Sequence, residues 1–234
     1  KQMQNNQYRK FIYFTSLILF IGFLYYNYSF KESSKLENDL LVLNTDISEP
    51  YEYSSITNVA LEELSMGNAN APVTIIEYAS MTCSHCAEFH NTTFQEIKKN
   101  HINNGEVRYI FREFPIDKLA MATSMLARCV DNNVSLPFIE VLFKTRDQWI
   151  SEDAISVLKN LSKQAGLSSE EFDNCLNNQT LLDELISIKD QATKDYNITS
   201  TPSFVINGKI ITGNKPYSSF KEEIDKILQS YRGI

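Results

Sequence analysis

The stretch VTIIEYASMTCSHCAEFHNTTFQEIKKN, Val73 to Asn100, changes its periodicity at Cys83. Before it, Val73 to Ala79 is a short, β-branched run bounded by Ala71-Pro72 and Ser80, which suits a buried central strand. After it, Cys86, Phe89, Phe94 and Ile97 recur on one broad helical face, and Lys98 and Lys99 stand at the carboxyl end, where the helix dipole favours cations. The stretch therefore predicts a strand, a tight connection, and a helix that starts at a pair of cysteines.

Downstream, VRYIFREF from Val107 alternates Val107, Tyr109 and Phe111 against Arg108 and Arg112, and Pro115 ends it, so a second strand is expected. Residues 117 to about 195 read as helical, with breaks near Asn132 to Pro137, Gln148 to Ser151, Gly166 and Asn177 to Asn178. Ser168 with Glu171 forms a capping-box pattern. SFVIN and KIITG flank Asn207-Gly208 as a hairpin, and a last helix is expected over Tyr217 to Tyr231. A strand-helix-strand unit and a hairpin-helix unit around an inserted helical block imply an α/β sheet with a helical subdomain. The expected segments are 71–116, 117–196 and 197–234 for the first part, insertion and second part, with 31–70 as a linker or approach segment.

Residues 1–30 form a separate segment. Phe11 to Phe30 is an uncharged, largely apolar run preceded by Lys1, Arg9 and Lys10, a length and charge order that suit one membrane-crossing helix with its amino end in the cytoplasm. A signal anchor and a signal peptide both fit, and a buried core helix is the bland alternative. The length of the run and the lack of an A-x-A-like cleavage site favour an uncleaved anchor. Both targeted readings place the remainder in a periplasm or another extracytoplasmic space, where disulfides persist. The N-x-S/T triplet at Asn91, close behind the cysteine pair, favours a bacterial setting, since a glycan there would obstruct that pair.

The formal charge is −7, and the three positive charges of the first 30 residues leave about −10 downstream. That argues against nucleic acid or an anionic membrane surface as the main partner of the exported part. Four cysteines are too few for a disulfide scaffold in a chain of 234 residues, so each is read on its own.

Cys83-Ser84-His85-Cys86 follows a strand and opens a helix, the context in which C-x-x-C means dithiol chemistry. At the helix start, unpaired backbone N–H groups and the positive dipole end stabilise the Cys83 thiolate. Cys86, one turn deeper, is placed to close a disulfide with Cys83 or to resolve a mixed disulfide formed there. Cys83 is thus the expected nucleophile and Cys86 the resolving thiol. His85 between them offers positive charge or a donor near Cys83.

Ala71-Pro72-Val73 through Phe89, with Thr201-Pro202 through Gly213-Asn214-Lys215-Pro216, resembles the DsbA-type thiol:disulfide oxidoreductases, over roughly residues 65 to 232. The resemblance implies a thioredoxin-like fold with an inserted helical subdomain. It implies that Glu77 is the buried acid beneath the cysteine pair that moves the proton of the buried thiol. It implies that Pro202 is the cis proline facing the disulfide, and that Thr201 pairs its backbone with a bound client chain. Ser84 stands where the family more usually has Pro, while His85 keeps the family's His.

Other readings attach to the same residues. The pair Cys83 and Cys86 would be half of a zinc site if His85 or His90 joined it, but no second pair lies at zinc-ribbon spacing. Glu77 would be an exposed acid on an edge strand, and Pro202 an ordinary trans turn proline. His90 is expected to be packed and His101 exposed, both structural. Cys129 and Cys175 in the helical block either form a structural disulfide or remain two buried thiols, and an oxidising compartment favours the pair.

The leading functional expectation is an extracytoplasmic dithiol oxidase that gives its disulfide to exported, folding proteins and is reoxidised by a membrane redox partner. A monomer is expected, with no cofactor and no metal. The alternatives are a reductase or isomerase, and a surface protein that keeps the fold with a static disulfide. Familiar isomerases have an amino-terminal dimerisation domain, for which 31–70 is too short. A static staple would need none of Glu77, His85 and Thr201-Pro202.

Overall fold

The computed structural model describes residues 61–233. The apolar segment Phe11 to Phe30 lies outside the described residues, and no helix among those described is long and apolar enough to cross a membrane.

A five-stranded sheet in the order β1-β3-β2-β4-β5 carries the site. Strand β2 (Val73–Ala79) is central, as its apolar character on both faces requires. It runs parallel to β3 (Val107–Glu113), with Val73 opposite Val107 and Glu77 opposite Phe111. On its other side β2 is antiparallel to β4 (Ser203–Ile206), which turns through Asn207-Gly208 into β5 (Lys209–Thr212). Asn207 and Gly208 both have positive φ, 44° and 92°, as a two-residue primed turn demands. The Asn207 side chain also accepts the Thr74 N–H at 2.7 Å and donates to the Pro72 carbonyl at 3.0 Å, fixing the hairpin to the start of β2.

The outer strand β1 (Leu64–Met66) pairs antiparallel with β3, so the segment read as an approach to the domain contributes a sheet edge. Three residues are too few for periodicity to reveal. Gly67 ends the strand at a φ of 92°, and a Cβ there would lie 2.4 Å from the Val107 carbonyl oxygen, so only glycine lets the chain pass.

Helix α1 (Ser84–Asn91) does not run on to Asn100 as expected. It breaks at Thr92, whose hydroxyl donates to the Glu88 carbonyl at 2.7 Å, a local bond that competes with the helical ladder. The short α2 (Thr93–Ile97) and a π-helical turn (Lys98–Ile102) follow. The helical block contains α3 (Lys118–Cys129), α4 (Asn132–Lys144), α5 (Arg146–Trp149), α6 (Ala154–Gln164), α7 (Ser169–Leu176) and α8 (Gln179–Tyr196). Ser168 and Glu171 form the capping box at α7, and Asn197, left-handed at φ 52°, ends α8. Helix α4 starts at Asn132 and accommodates Pro137 in its second turn, so the expected break there is confined to the residues before Asn132. Helix α9 (Tyr217–Arg232) closes the fold. A Cys129–Cys175 disulfide joins the end of α3 to α7 across a sequence separation of 46.

The two faces of the sheet differ. Val73, Ile75, Glu77 and Ala79 belong with Tyr109, Phe111 and Phe204 to the larger buried set, where Phe89 of α1 meets Phe204 at 4.6 Å and Phe220 of α9 at 5.4 Å between ring centroids. Such aromatic pairs contribute about 0.5–1.5 kcal/mol each beyond the area they bury, and they seat α1 on the sheet. Tyr78, Phe114 and Val205 belong to a smaller cluster with Ala192 of α8 and Ile198.

His101 is buried, contrary to expectation. Its Nδ1 lies 2.9 Å from Glu106 and its Nε2 2.9 Å from the Tyr217 hydroxyl, a partner 116 residues away in sequence.

Candidate active site

The site is assembled where β2 ends. The Cys83 N–H bonds back to the Ser80 carbonyl at 3.1 Å, closing a turn that delivers Cys83 to the N-cap of α1 with extended backbone angles. Cys83 is partly exposed and Cys86 fully buried, and the two are free thiols. The Cys83 thiol lies 3.4 Å from the Thr201 carbonyl oxygen. Thr201 precedes β4, and the Thr201-Pro202 peptide bond is cis.

The sulfurs differ in acidity because their surroundings differ. The Cys86 thiol, donating to Cys83, is the largest influence lowering the Cys83 pKa from 9.0 to about 5. Burial opposes it, while the Thr201 side chain and the backbone N–H groups of Cys86 and His85 assist. Cys86 moves the opposite way. Burial pushes its thiol far above the ordinary range, and the bond to Cys83 and the negative charge of Glu77 push it further. Cys83 is thus built to ionise and Cys86 to hold its proton.

His85 reaches Cys83 as a donor through its main chain. Its ring is largely exposed, with Nδ1 3.9 Å from a Glu88 oxygen, and it is the backbone N–H of His85 that assists the Cys83 thiolate. Glu77 is fully buried rather than exposed on an edge. Its Oε2 accepts the Tyr109 hydroxyl at 2.5 Å and lies 3.1 Å from His90 Nε2, while Oε1 is buried with no hydrogen-bond partner among the described residues. Burial, with Glu77 next, raises the Tyr109 hydroxyl well above its usual pKa. His90, packed as expected, stacks on Phe143 of α4 at 4.1 Å. Among the described residues no group of three or more His, Cys, Asp or Glu is placed to hold a metal ion.

Sequence reasoning missed Tyr109 and His90 as partners of Glu77. The inward alternation of β3 marks Tyr109 as buried, but nothing in either segment marks the shared acid. It also missed two contacts on Thr82, the residue before Cys83. Asp117 accepts the Thr82 hydroxyl at 2.6 Å, and Arg146 donates to the Thr82 carbonyl from Nε at 2.9 Å and from a terminal nitrogen at 2.8 Å.

A family model described as Thioredoxin matches residues 60–226. Relatives bearing the name protein-disulfide oxidoreductase include one from Rickettsia bellii, 32% identical over 71% of this chain and 65% of its own length. One from Rickettsia typhi is 30% identical over 80% of this chain and 72% of its own length. The chain thus spans a little under two thirds of the first and somewhat more of the second. The crystal structure of alpha-DsbA1 from Wolbachia pipientis matches with a TM-score of 0.68 and 29% identity, over 75% of this chain and 94% of that one. BdbD from Bacillus subtilis, in its oxidised form, matches with a TM-score of 0.63 and 25% identity, over 71% and 93%. With the cysteine pair at the end of the central strand and a helical block set between the two halves of the sheet, the chain belongs to the thioredoxin family and is of its DsbA-like type.

Proposed function

We propose that the chain is an extracytoplasmic thiol:disulfide oxidoreductase working as an oxidase on exported proteins that are acquiring disulfides. The observation that carries this reading is the opposite displacement of the two thiols, Cys83 down to about 5 and Cys86 far up. A stabilised Cys83 thiolate favours the reduced enzyme and so makes its disulfide a good electron acceptor. In the forward direction a client thiolate attacks Cys83 Sγ. The Cys83–Cys86 bond breaks, and Cys86 leaves with the electron pair and takes up a proton. A second client thiolate then attacks the client sulfur of the mixed disulfide, and Cys83 leaves as a thiolate. The client dithiol has become a disulfide, and the enzyme holds one thiol and one thiolate. A membrane redox partner would restore the disulfide. The positively flanked apolar run Phe11 to Phe30 supports export and anchoring at that membrane.

Thr201, beside Cys83, offers main-chain groups to an extended client, and such bonds require no particular client sequence. Pro202 follows it and presents no N–H. Glu77 supplies or accepts the proton of Cys86, with its unpartnered Oε1 as the available atom. Glu77→Gln keeps the size and an acceptor for Tyr109 but exchanges no proton. It is expected to slow the Cys86 step by about a hundredfold, the lower end of what general acid–base groups supply. Stopped-flow reduction of a glutathionylated Cys83 measures that step, and an unchanged rate would remove Glu77 from the proton transfer.

Titration of the reduced protein by thiolate absorbance near 240 nm tests the proposal. The expected Cys83 transition is near pH 5. Because this pKa is depressed on folding, its contribution to the stability of the reduced form is full above the unfolded thiol value of about 8.5 and is lost as the pH falls through about 5. Equilibration with glutathione should place the pair well above the potential of thioredoxin, about −270 mV. A Cys83 transition at or above 8.5, or a potential like that of thioredoxin, would assign the chain a reductive or static role instead.

A further inference from the structure

We propose that Arg146 is a positioning residue for the thiol chemistry, reaching from the helical block to set the electrostatics of the nucleophile. The inference rests on the reading of Cys83 as the nucleophile. Arg146 opens α5, sixty residues beyond Cys86, and two of its nitrogens converge on one acceptor, the Thr82 carbonyl, at 2.9 and 2.8 Å. That carbonyl belongs to the peptide joined to the Cys83 nitrogen. A carbonyl oxygen is the negative end of a dipole, and left bare beside a forming thiolate it would oppose ionisation. A guanidinium bonded to it cancels that field and adds a full positive charge that cannot be lost at any working pH.

The neighbours explain why a cation is needed here. Thr82 is also held through its hydroxyl by the Asp117 carboxylate at 2.6 Å, and the Asp117 side chain caps α3 by accepting the Ala120 N–H at 2.7 Å. Glu77 and His90 lie on the buried side of the cysteine pair, and His85 and Glu88 on the exposed side of α1. Asp117 is bonded to Thr82, the residue before Cys83, and Glu88 shares helix α1 with the cysteine pair; a carboxylate close to a thiol favours its protonated form. Arg146 is bonded directly to the peptide preceding Cys83 and is 22% exposed, whereas Asp147, which accepts its third nitrogen at 2.9 Å, is 93% exposed. Water screens that exposed acid more strongly than the half-buried guanidinium. The charge so placed is bonded to the peptide that precedes Cys83, and it is supplied by the inserted block and not by the sheet. The helical insertion is therefore part of the redox tuning, and residues facing Thr82 from the insertion set the oxidising power of the pair.

Two substitutions test this. Arg146→Met keeps much of the chain length and removes the charge and both donors. Arg146→Lys keeps the charge but loses the fork. Arg146→Met is expected to raise the Cys83 transition by about 0.5–1 unit, the size of effect a single charge has near a partly exposed group. It should shift the glutathione equilibrium toward the disulfide by about three- to tenfold, with Arg146→Lys between it and the wild type. A purely mechanical strap would lower Tm and leave both readings in place. If the Met and Lys variants both match the wild type in titration and in glutathione equilibrium, the assignment is overturned, whatever happens to Tm. The Lys variant preserves the test if the Met variant does not fold. Each reading is a difference from the wild type, so a wild-type Cys83 that titrates near free cysteine would sink the oxidase reading and still leave the Arg146 effect measurable.

Discussion

Cys86→Ala protein is expected to accumulate covalent complexes with its clients, while Cys83→Ala protein accumulates almost none. The structure dictates the asymmetry. Cys83 is partly exposed and inclined to ionise, so it exchanges with client disulfides even when alone. Cys86 is fully buried and holds its proton, so without Cys83 it is neither reachable nor nucleophilic. Removing Cys86 also removes the intramolecular thiol that expels the client. Well-oriented intramolecular groups act at effective molarities far above any external thiol, so escape from the mixed disulfide should slow by at least about a thousandfold. Non-reducing electrophoresis after incubation with an unfolded disulfide-containing protein, quenched by acid, reads the complexes directly. Equal trapping by the two variants would reverse or abolish the assigned roles.

Replacing both Cys129 and Cys175 with Ser is expected to cost the protein about 4 kcal/mol of stability, the chain-entropy value for a loop of this length. That is roughly a thousandfold in the folding equilibrium. The loss falls on the helical block, because the bond ties α3 to α7 and Cys175 is buried. Native-state strain and residual structure in the unfolded chain reduce such values in practice, but the sign is fixed. Urea unfolding of the double variant should show a lower midpoint, while insulin reduction by the Cys83 pair under native conditions stays close to wild type. An unchanged midpoint would mean that the cross-link constrains nothing the rest of the block does not already hold.

Much of this arrangement was legible in the sequence because it is local. The β-branched run ending at Ser80, the cysteine pair opening a helix and the Asn-Gly turn each state their conformation within a few residues. The DsbA-like resemblance added Glu77, Thr201 and Pro202, and the structure places Glu77 in the core on the same side of β2 as Cys86 and Thr201 against Cys83. What remained hidden depends on distant partners. His101 reads as a polar residue at the end of a helix, and only Tyr217, 116 positions later, gives its ring a reason to be buried. His90 lies on an apolar helical face with no sign that a carboxylate waits beneath it. Arg146 sits in a four-residue helix that periodicity cannot detect, and its target is a backbone carbonyl, which has no sequence signature. The strand β1 is too short to show alternation. His85 is where the motif puts it, and of the two contributions expected of it, charge or a donor, the donor is its backbone N–H beside Cys83, while its exposed ring faces Glu88.

The stitching of the β4-β5 turn onto the start of β2 has a consequence for the growing chain. The sheet places β4 beside β2, with Ile206 opposite Ile75, so neighbouring strands are made some 130 residues apart. Contacts of such long sequence separation form late, after the intervening loop has been closed at an entropic cost. Until residues beyond Ser200 leave the ribosome, the central strand has one bare edge and Cys83 has no facing Thr201. A nascent chain that has already made its cysteine pair and its helical block therefore still lacks the strand that brings Thr201 to Cys83. The residues from Thr201 onward thus act as a timer, bringing the Thr201 carbonyl to Cys83 only after the helical block has been made.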